Sequence, residues 1–284
     1  MLAQTELAPL TKTEFRQFQE IILAEAGITL NESKHVLVQS RLTRRLRSLG
    51  LASYGEYLVY LARQPRESPE RREMINCITT NKTDFFRENH HFEFLRGRVI
   101  PELRAAAANG GAKKIRIWSA ACSTGEEPYS IAVTIREALG AERNWDVKIL
   151  ASDIDTNVLS AAEAGIYDAE RFNQVQESLL RRYFTRRKSD GALLANDELK
   201  QMIRFRRINF VDPAWPIRTT FDVIFCRNVI IYFSRATQQV LFERLAQYLK
   251  PTGYLLVGHS ENLHWMQKLL VPKGQAIYQL RSSE

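Results

Sequence analysis

The feature that most restricts the fold is Ile115-Arg-Ile-Trp-Ser-Ala-Ala-Cys-Ser-Thr-Gly-Glu-Glu-Pro-Tyr-Ser-Ile-Ala, followed downstream by Ile149-Leu-Ala-Ser-Asp-Ile-Asp. An apolar strand, a loop of small residues, a helix with proline in its first turn and a second strand ending in an acid describe a nucleotide-binding βαβ unit. No bulky side chain between Ser119 and Gly125 keeps a ligand from the loop backbone, so Ala121 is a contact candidate. Asp153 follows the second strand, where a carboxylate accepts hydrogen bonds from both hydroxyls of a ribose. A dinucleotide fingerprint needs three glycines and only Gly125 is present, while Glu126 and Glu127 at the helix start repel phosphates. The ligand implied is a nucleoside without phosphates, preferably cationic, and S-adenosylmethionine meets both conditions. A ligand-free βαβ unit is the plainer alternative.

A chain of 284 residues holds one large or two modest domains. No apolar run reaches the roughly 18 to 20 residues that span a bilayer, and Met1-Leu-Ala-Gln-Thr-Glu shows no basic stretch leading into an apolar one. A cytoplasmic protein without membrane insertion is expected. Cys77, Cys122 and Cys226 are odd in number and lack metal-ligand spacing, which predicts reduced, mostly buried thiols.

The net charge of +8 implies an acidic partner. Between Glu32 and Glu56 there is no acid, whereas Lys34, Arg41, Arg44, Arg45 and Arg47 are all basic. On a helix Val38, Leu42, Leu46 and Leu49 share one stripe, Arg44 and Arg47 lie opposite, and Arg41 and Arg45 flank them. Such a ridge either docks on an acidic helix or nucleic acid, or is a solvated face.

Apolar spacing makes residues 1–76 a helical domain, punctuated by Gly27, Gly50 and the Pro65 to Pro69 loop. Residues 77–92 form a connector. Residues 93–284 read as an α/β, doubly wound sheet, opened by one apolar helix from Phe92 to Ala108. Strands are expected near 114–119, 147–152, 205–210, 221–226 and 253–258, with helices near 128–139, 156–164 and 235–249. A turn signal at Ser189-Asp-Gly-Ala, flanked by Leu193-Leu194 and Ile203-Arg-Phe-Arg, predicts a small antiparallel insertion over about 181–207. Leu269 to Leu280 reads as a closing hairpin at the sheet edge.

The connector reads Thr80-Asn-Lys-Thr-Asp-Phe-Phe-Arg-Glu-Asn-His-His, placing Asn81, Thr83 and Arg87 close together. Caps and a surface arginine would account for them, although Arg87 is also suited to a bidentate pair with a carboxylate. At the fourth strand, Cys226-Arg-Asn-Val-Ile-Ile-Tyr-Phe carries Arg227, Asn228 and Tyr232 to the strand end, where doubly wound sheets bind ligands.

Together with Ala151-Ser-Asp-Ile-Asp and Ile208-Asn-Phe, these strings make the chain resemble the CheR family of chemotaxis receptor methyltransferases from about Phe15 to Leu280. Gly-Glu-Glu-Pro-Tyr-Ser and Arg-Asn-Val-x-Ile-Tyr-Phe are its most specific marks. The resemblance implies a helical N-terminal domain, an S-adenosylmethionine-dependent methyltransferase domain with an inserted β-subdomain, and methyl transfer to glutamates in the cytoplasmic helical region of chemoreceptors. It implies cofactor contacts by Asn81, Thr83, Arg87, Glu127, Asp153, Asn209, Phe210, Arg227 and Asn228, and places Arg87 and Tyr232 near the transferred methyl. Of the adjacent glutamates, Glu127 is favoured. Family members that tether to a receptor's C-terminal pentapeptide have a glycine-rich loop in the β-subdomain, whereas Arg186-Arg-Lys-Ser-Asp-Gly-Ala has one glycine. Docking without the tether, through Arg41, Arg44, Arg45 and Arg47, is the expectation.

Two other classes stay in view. A nucleic-acid methyltransferase would suit the basic charge, and Asp212-Pro-Ala-Trp loosely matches an adenine methyltransferase motif, but not at the end of the fourth strand. A non-catalytic S-adenosylmethionine-binding module is the other. His90-His91 and Gly258-His-Ser-Glu read as polar loop residues, because adjacent side chains do not converge on a metal; none is expected.

Overall fold

The computed structural model describes residues 7–281. The start read above for a leader, Met1 to Glu6, lies outside them. Helix α1 (Lys12–Ala26) begins in a capping box formed by Thr11 and Glu14. It is followed by α2 (His35–Leu49), α3 (Tyr54–Ala62, capped by Ser53) and α4 (Pro69–Ile78, capped by Ser68). Stripes at helical spacing, Phe15, Phe18 and Ile22 on α1 and Val38, Leu42 and Leu46 on α2, close a core of their own with Tyr57, Leu61 and Met74.

The helix expected over 92–108 is interrupted. α5 (His90–Phe94) passes through a π-helical turn at Leu95–Val99 into α6 (Ile100–Ala108). Pro101 has no N–H to donate and its ring crowds the carbonyl four residues back, so a wider turn keeps the helix continuous.

Next come β1 (Lys114–Ala120), α7 (Glu126–Leu139), β2 (Asp146–Asp153) and α8 (Thr156–Ala164). The insertion comprises β3 (Ile166–Tyr167), α9 (Glu177–Tyr183), β4 (Phe184–Arg186) and β5 (Leu193–Ala195). The chain closes with α10 (Asp197–Lys200), β6 (Ile203–Arg207), β7 (Phe221–Cys226), α11 (Arg235–Tyr248), β8 (Leu249–Val257), β9 (Leu270–Gly274) and β10 (Ile277–Leu280).

The main sheet has the order β6-β2-β1-β7-β8-β10-β9, parallel except for the final hairpin, in which β10 pairs antiparallel with β8 and β9. The insertion is a separate antiparallel sheet, β3-β5-β4. Its expected limits need correction at both ends. It starts at Ile166, and Ile203–Arg207 joins the main sheet parallel to β2, with Ile149 opposite Ile203. Ile203 and Phe205 face inward while Arg204 and Arg206 face out, the alternation of a sheet edge, which the residues alone do not assign to one sheet or the other.

Candidate functional site

The chain leaves β1 toward β2 and β6, then returns to β7 and β8 on the other side, so the carboxyl ends of β1 and β7 part at the topological switch point. The register aligns these ends: Ala120 lies opposite both Ser152 and Cys226, and Cys226 opposite Val257. A cleft opens above them. Its walls include every sequence-predicted cofactor residue, Asn81, Thr83, Arg87, Ala121, Glu127, Asp153, Asn209, Phe210, Arg227 and Asn228, together with Tyr232.

Asp153 anchors one end. Its carboxylate accepts the Ser123 N–H at 2.8 Å and the Asp155 N–H at 3.0 Å. Burial pushes its pKa up to about 6, an effect those two hydrogen bonds only partly offset. The loop beneath the cleft is left-handed at Ala121 (φ 68°), Ser123 (φ 50°) and Gly125 (φ 98°). Gly125 is required twice over, because a Cβ there would also sit 2.8 Å from Ala162 Cβ. Phe86, Glu88 and Asn228 are left-handed as well, so strained backbone concentrates around one site.

The two glutamates at the start of α7 diverge. Glu126 turns away, accepting from Thr124 Oγ1 at 2.6 Å and pairing with Arg171 at 2.6 Å. Glu127 faces the cleft, accepting from Ser119 Oγ at 2.6 Å and pairing with Arg227 at 3.1 Å. Burial raises both carboxyls. A helix N-terminus carrying two carboxylates does not receive a phosphate, whereas a buried acid facing a diol suits a nucleoside. The donor chemistry therefore fits S-adenosylmethionine.

Arg227 is buried across the cleft wall from Phe92. Its guanidinium bridges Glu127 and Glu88, at 3.1 Å from each. Two of the predicted amides turn their donors to the protein: Asn81 Nδ2 donates to Asp155 at 2.7 Å and Asn209 Nδ2 to the Glu25 carbonyl at 2.6 Å. They shape the wall. Arg87 donates to the Lys82 carbonyl at 2.9 Å and, among the described residues, forms no ion pair, leaving a guanidinium edge for an acceptor.

Tyr232 ends a 3₁₀ turn, Ile230–Tyr232, and its carbonyl accepts the Thr29 N–H at 2.8 Å. The linker between α1 and α2 thus closes one wall through Thr29, Leu30 and Lys34. Sequence reading assigned the helical domain to docking alone, and no local pattern marks these residues as site residues. Glu88 and Glu261 were also missed. Gly258 to Glu261 is loop as expected, with His259 and Ser260 exposed, but Glu261 within it is only 4% exposed.

The convergence of His90 and His91 also differs from expectation. Their ring centroids lie 4.0 Å apart, and ligand atoms of Glu88, His90 and His91 fall within 4.8 Å of one another. Glu88 is already occupied by Arg227, Asn228 Nδ2 and the His259 N–H, and burial holds His91 neutral, with its pKa near 3. A cation there would face the Arg227 charge. Trp215 of Asp212-Pro-Ala-Trp is core, donating to the Asn209 carbonyl at 3.0 Å beneath Arg244.

The predicted ridge loses half its members. Arg41 donates to the carbonyls of Ile78 and Thr79, and Arg45 pairs with Glu70, which also accepts from the Tyr57 hydroxyl at 2.7 Å. Both brace α2 against α4. Arg44 and Arg47 alone stay exposed on the outer face of α2. The three thiols are free, and burial raises those of Cys122 and Cys226 well above the usual range. Among the described residues no helix is long and apolar enough to cross a membrane.

Comparison with known proteins agrees over almost the whole chain. The family described as CheR methyltransferase, all-alpha domain, matches residues 13–79, and CheR methyltransferase, SAM binding domain, matches residues 81–276. Chemotaxis protein methyltransferase 2 of Pseudomonas aeruginosa is 45% identical over 270 residues, 94% of this chain and 93% of that protein. The chemotaxis protein methyltransferase of Escherichia coli is 42% identical over 99% of this chain and 95% of its own, and that of Borreliella burgdorferi 39% identical over 92% of each. With a helical domain and an S-adenosylmethionine-binding domain each matched in full sequence order, this chain belongs to the CheR methyltransferase family.

Proposed function

We propose that this protein transfers a methyl group from S-adenosylmethionine to the side-chain carboxylate of glutamates in the cytoplasmic helical region of chemoreceptors, giving glutamyl methyl esters and S-adenosylhomocysteine. The observation that carries this reading is the pairing, in one cleft, of a buried nucleoside-binding acid, Asp153, with the Arg87 guanidinium, which has a free edge, and Tyr232. A guanidinium with a free edge suits a carboxylate, either that of the acceptor glutamate or the methionyl end of S-adenosylmethionine.

The acceptor needs no general base, because a glutamate with an unperturbed pKa of about 4.3 is ionised at neutral pH. When bound, S-adenosylmethionine supplies an electrophilic methyl and a thioether leaving group. A glutamate carboxylate held beside that methyl would accept it directly, so this chain's residues would need to orient the two groups and move no proton. Arg87 and Tyr232 orient the carboxylate, and Asp153 and Glu127 hold the other partner in register. Fixing both reactants in near-attack geometry supplies about 7–11 kcal/mol of the barrier. Arg44 and Arg47 guide an acidic receptor helix to the cleft, without a C-terminal tether.

The test is the chemistry of the product. Methyl label transferred to a purified receptor signalling fragment should leave as methanol in mild base. Label that survives base, or that enters nucleic acid instead, refutes the reading.

A further inference from the structure

The stretch Gly258 to Glu261 has no place in the mechanism above, yet it contains a buried carboxylate that accepts three backbone N–H groups at the strand ends. Glu261 accepts the backbone N–H of Asn228 at 2.8 Å, of Ile230 at 2.9 Å and of Gly258 at 2.6 Å. Asn228 is left-handed (φ 57°), and the turn it opens runs through Ile230 to Tyr232, leaving N–H groups without secondary-structure partners. One buried side chain satisfies the donors on which the course of that turn depends.

From the other side Glu88 holds the same junction, accepting from Asn228 Nδ2 at 3.2 Å and from the His259 N–H at 3.0 Å. The space is fully used. A Cβ on Gly258 would lie 2.4 Å from Asn228 Nδ2 and 2.9 Å from both Asn228 N and Glu261 Oε2. Gly258 is therefore glycine because the loop after β8 presses against the turn after β7.

We infer that Glu261 is a positioning residue for methyl transfer: it does not touch the reactants, but sets the turn that aims Tyr232 into the cleft. Its side chain fixes main-chain direction two and four residues ahead of the tyrosine, so small losses of bonding there become displacements of the hydroxyl. Misplacement of a reacting or orienting group by about 1 Å can cost about a hundredfold in rate. This inference rests on the proposed orienting role of Tyr232.

Glu261→Gln keeps the shape but puts an amide NH₂ against backbone donors. The test measures turnover on a purified receptor signalling fragment, S-adenosylhomocysteine affinity and thermal unfolding for Glu261→Gln, Tyr232→Phe and the double variant. Turnover of Glu261→Gln should fall about tenfold or more with cofactor affinity changed less than about threefold. In the Tyr232→Phe background the same change should cost less than about twofold, because the group it aims is gone. Gly258→Ala, whose Cβ would press on Asn228 and on the Glu261 carboxylate and so push the same turn while leaving the acid in place, should show the same dependence on Tyr232 and serves where Glu261→Gln is too unstable to assay. Additive losses in the double variants, or wild-type turnover of Glu261→Gln beside a slow Tyr232→Phe, overturn the positioning role alone. Wild-type turnover of Tyr232→Phe removes the tyrosine's role, and this inference with it.

Discussion

Acidification should weaken cofactor binding through Asp153. Its carboxyl is raised from 3.8 to about 6 because it is buried beside Asp155, with two backbone N–H groups as incomplete compensation. The folded protein therefore holds this proton more tightly than the unfolded chain does. The difference is worth about 3 kcal/mol, a cost absent below the unfolded pKa and fully present above the folded one, so stability from this group falls as pH rises from about 4 to about 6. A ribose diol donating to the carboxylate favours the ionised form and offsets that cost. Binding must then deprotonate Asp153 at low pH. S-adenosylhomocysteine affinity, measured by calorimetry, should be about tenfold weaker near pH 5 than near pH 7. Asp153→Asn should bind more weakly at pH 7, by about 1.5–3 kcal/mol for the lost charge-assisted hydrogen bonds, and should show no slope. A flat profile in the parent protein refutes the argument. A slope that persists in Asp153→Asn transfers it to Glu127, the other buried acid on the cleft wall.

The split in the arginine ridge predicts two phenotypes from one helix. Reversing Arg44 and Arg47 to Glu should slow receptor methylation several-fold while leaving S-adenosylhomocysteine affinity and melting temperature unchanged. Arg45→Ala should instead lower stability by about 3 kcal/mol in denaturant unfolding, because it leaves Glu70 buried and unpaired. Gly125→Ala should cost at least about 2 kcal/mol and weaken cofactor binding, since it meets both a left-handed backbone and the wall of α8. Removing the C-terminal pentapeptide from a receptor that carries one should leave its methylation rate unchanged within about twofold; a larger loss would show that the β-subdomain tethers.

Local signals located most elements well. α8 runs over the expected interval, bounded by an Asp155 cap and Gly165, and α7 and α11 differ from expectation by a residue or two, because caps and helical periodicity act within a few residues. β3 escaped notice because two residues carry no period, and the π turn because proline within a helix permits several outcomes. The cleft residues were legible for a related reason: Ser119 to Gly125, Asp153 and Arg227-Asn228 all lie at strand ends, where a doubly wound sheet gathers ligands whatever its helices do.

The sequence by itself determined the βαβ unit, the exclusion of a phosphate ligand by Glu126 and Glu127, and the family. These follow from residue type and short-range spacing. Tertiary structure alone decided which charges are free. Arg41 and Arg45 look the same as Arg44 and Arg47 on a helical wheel, but the Thr79 carbonyl and Glu70 reach α2 from far along the chain. It also decided that Glu127 faces the cleft while Glu126 faces Arg171, and that Glu261 holds the turn bearing Tyr232. A carboxylate's role depends on which donors surround it, and here those donors come from segments that meet only when the sheet and the helical domain close together.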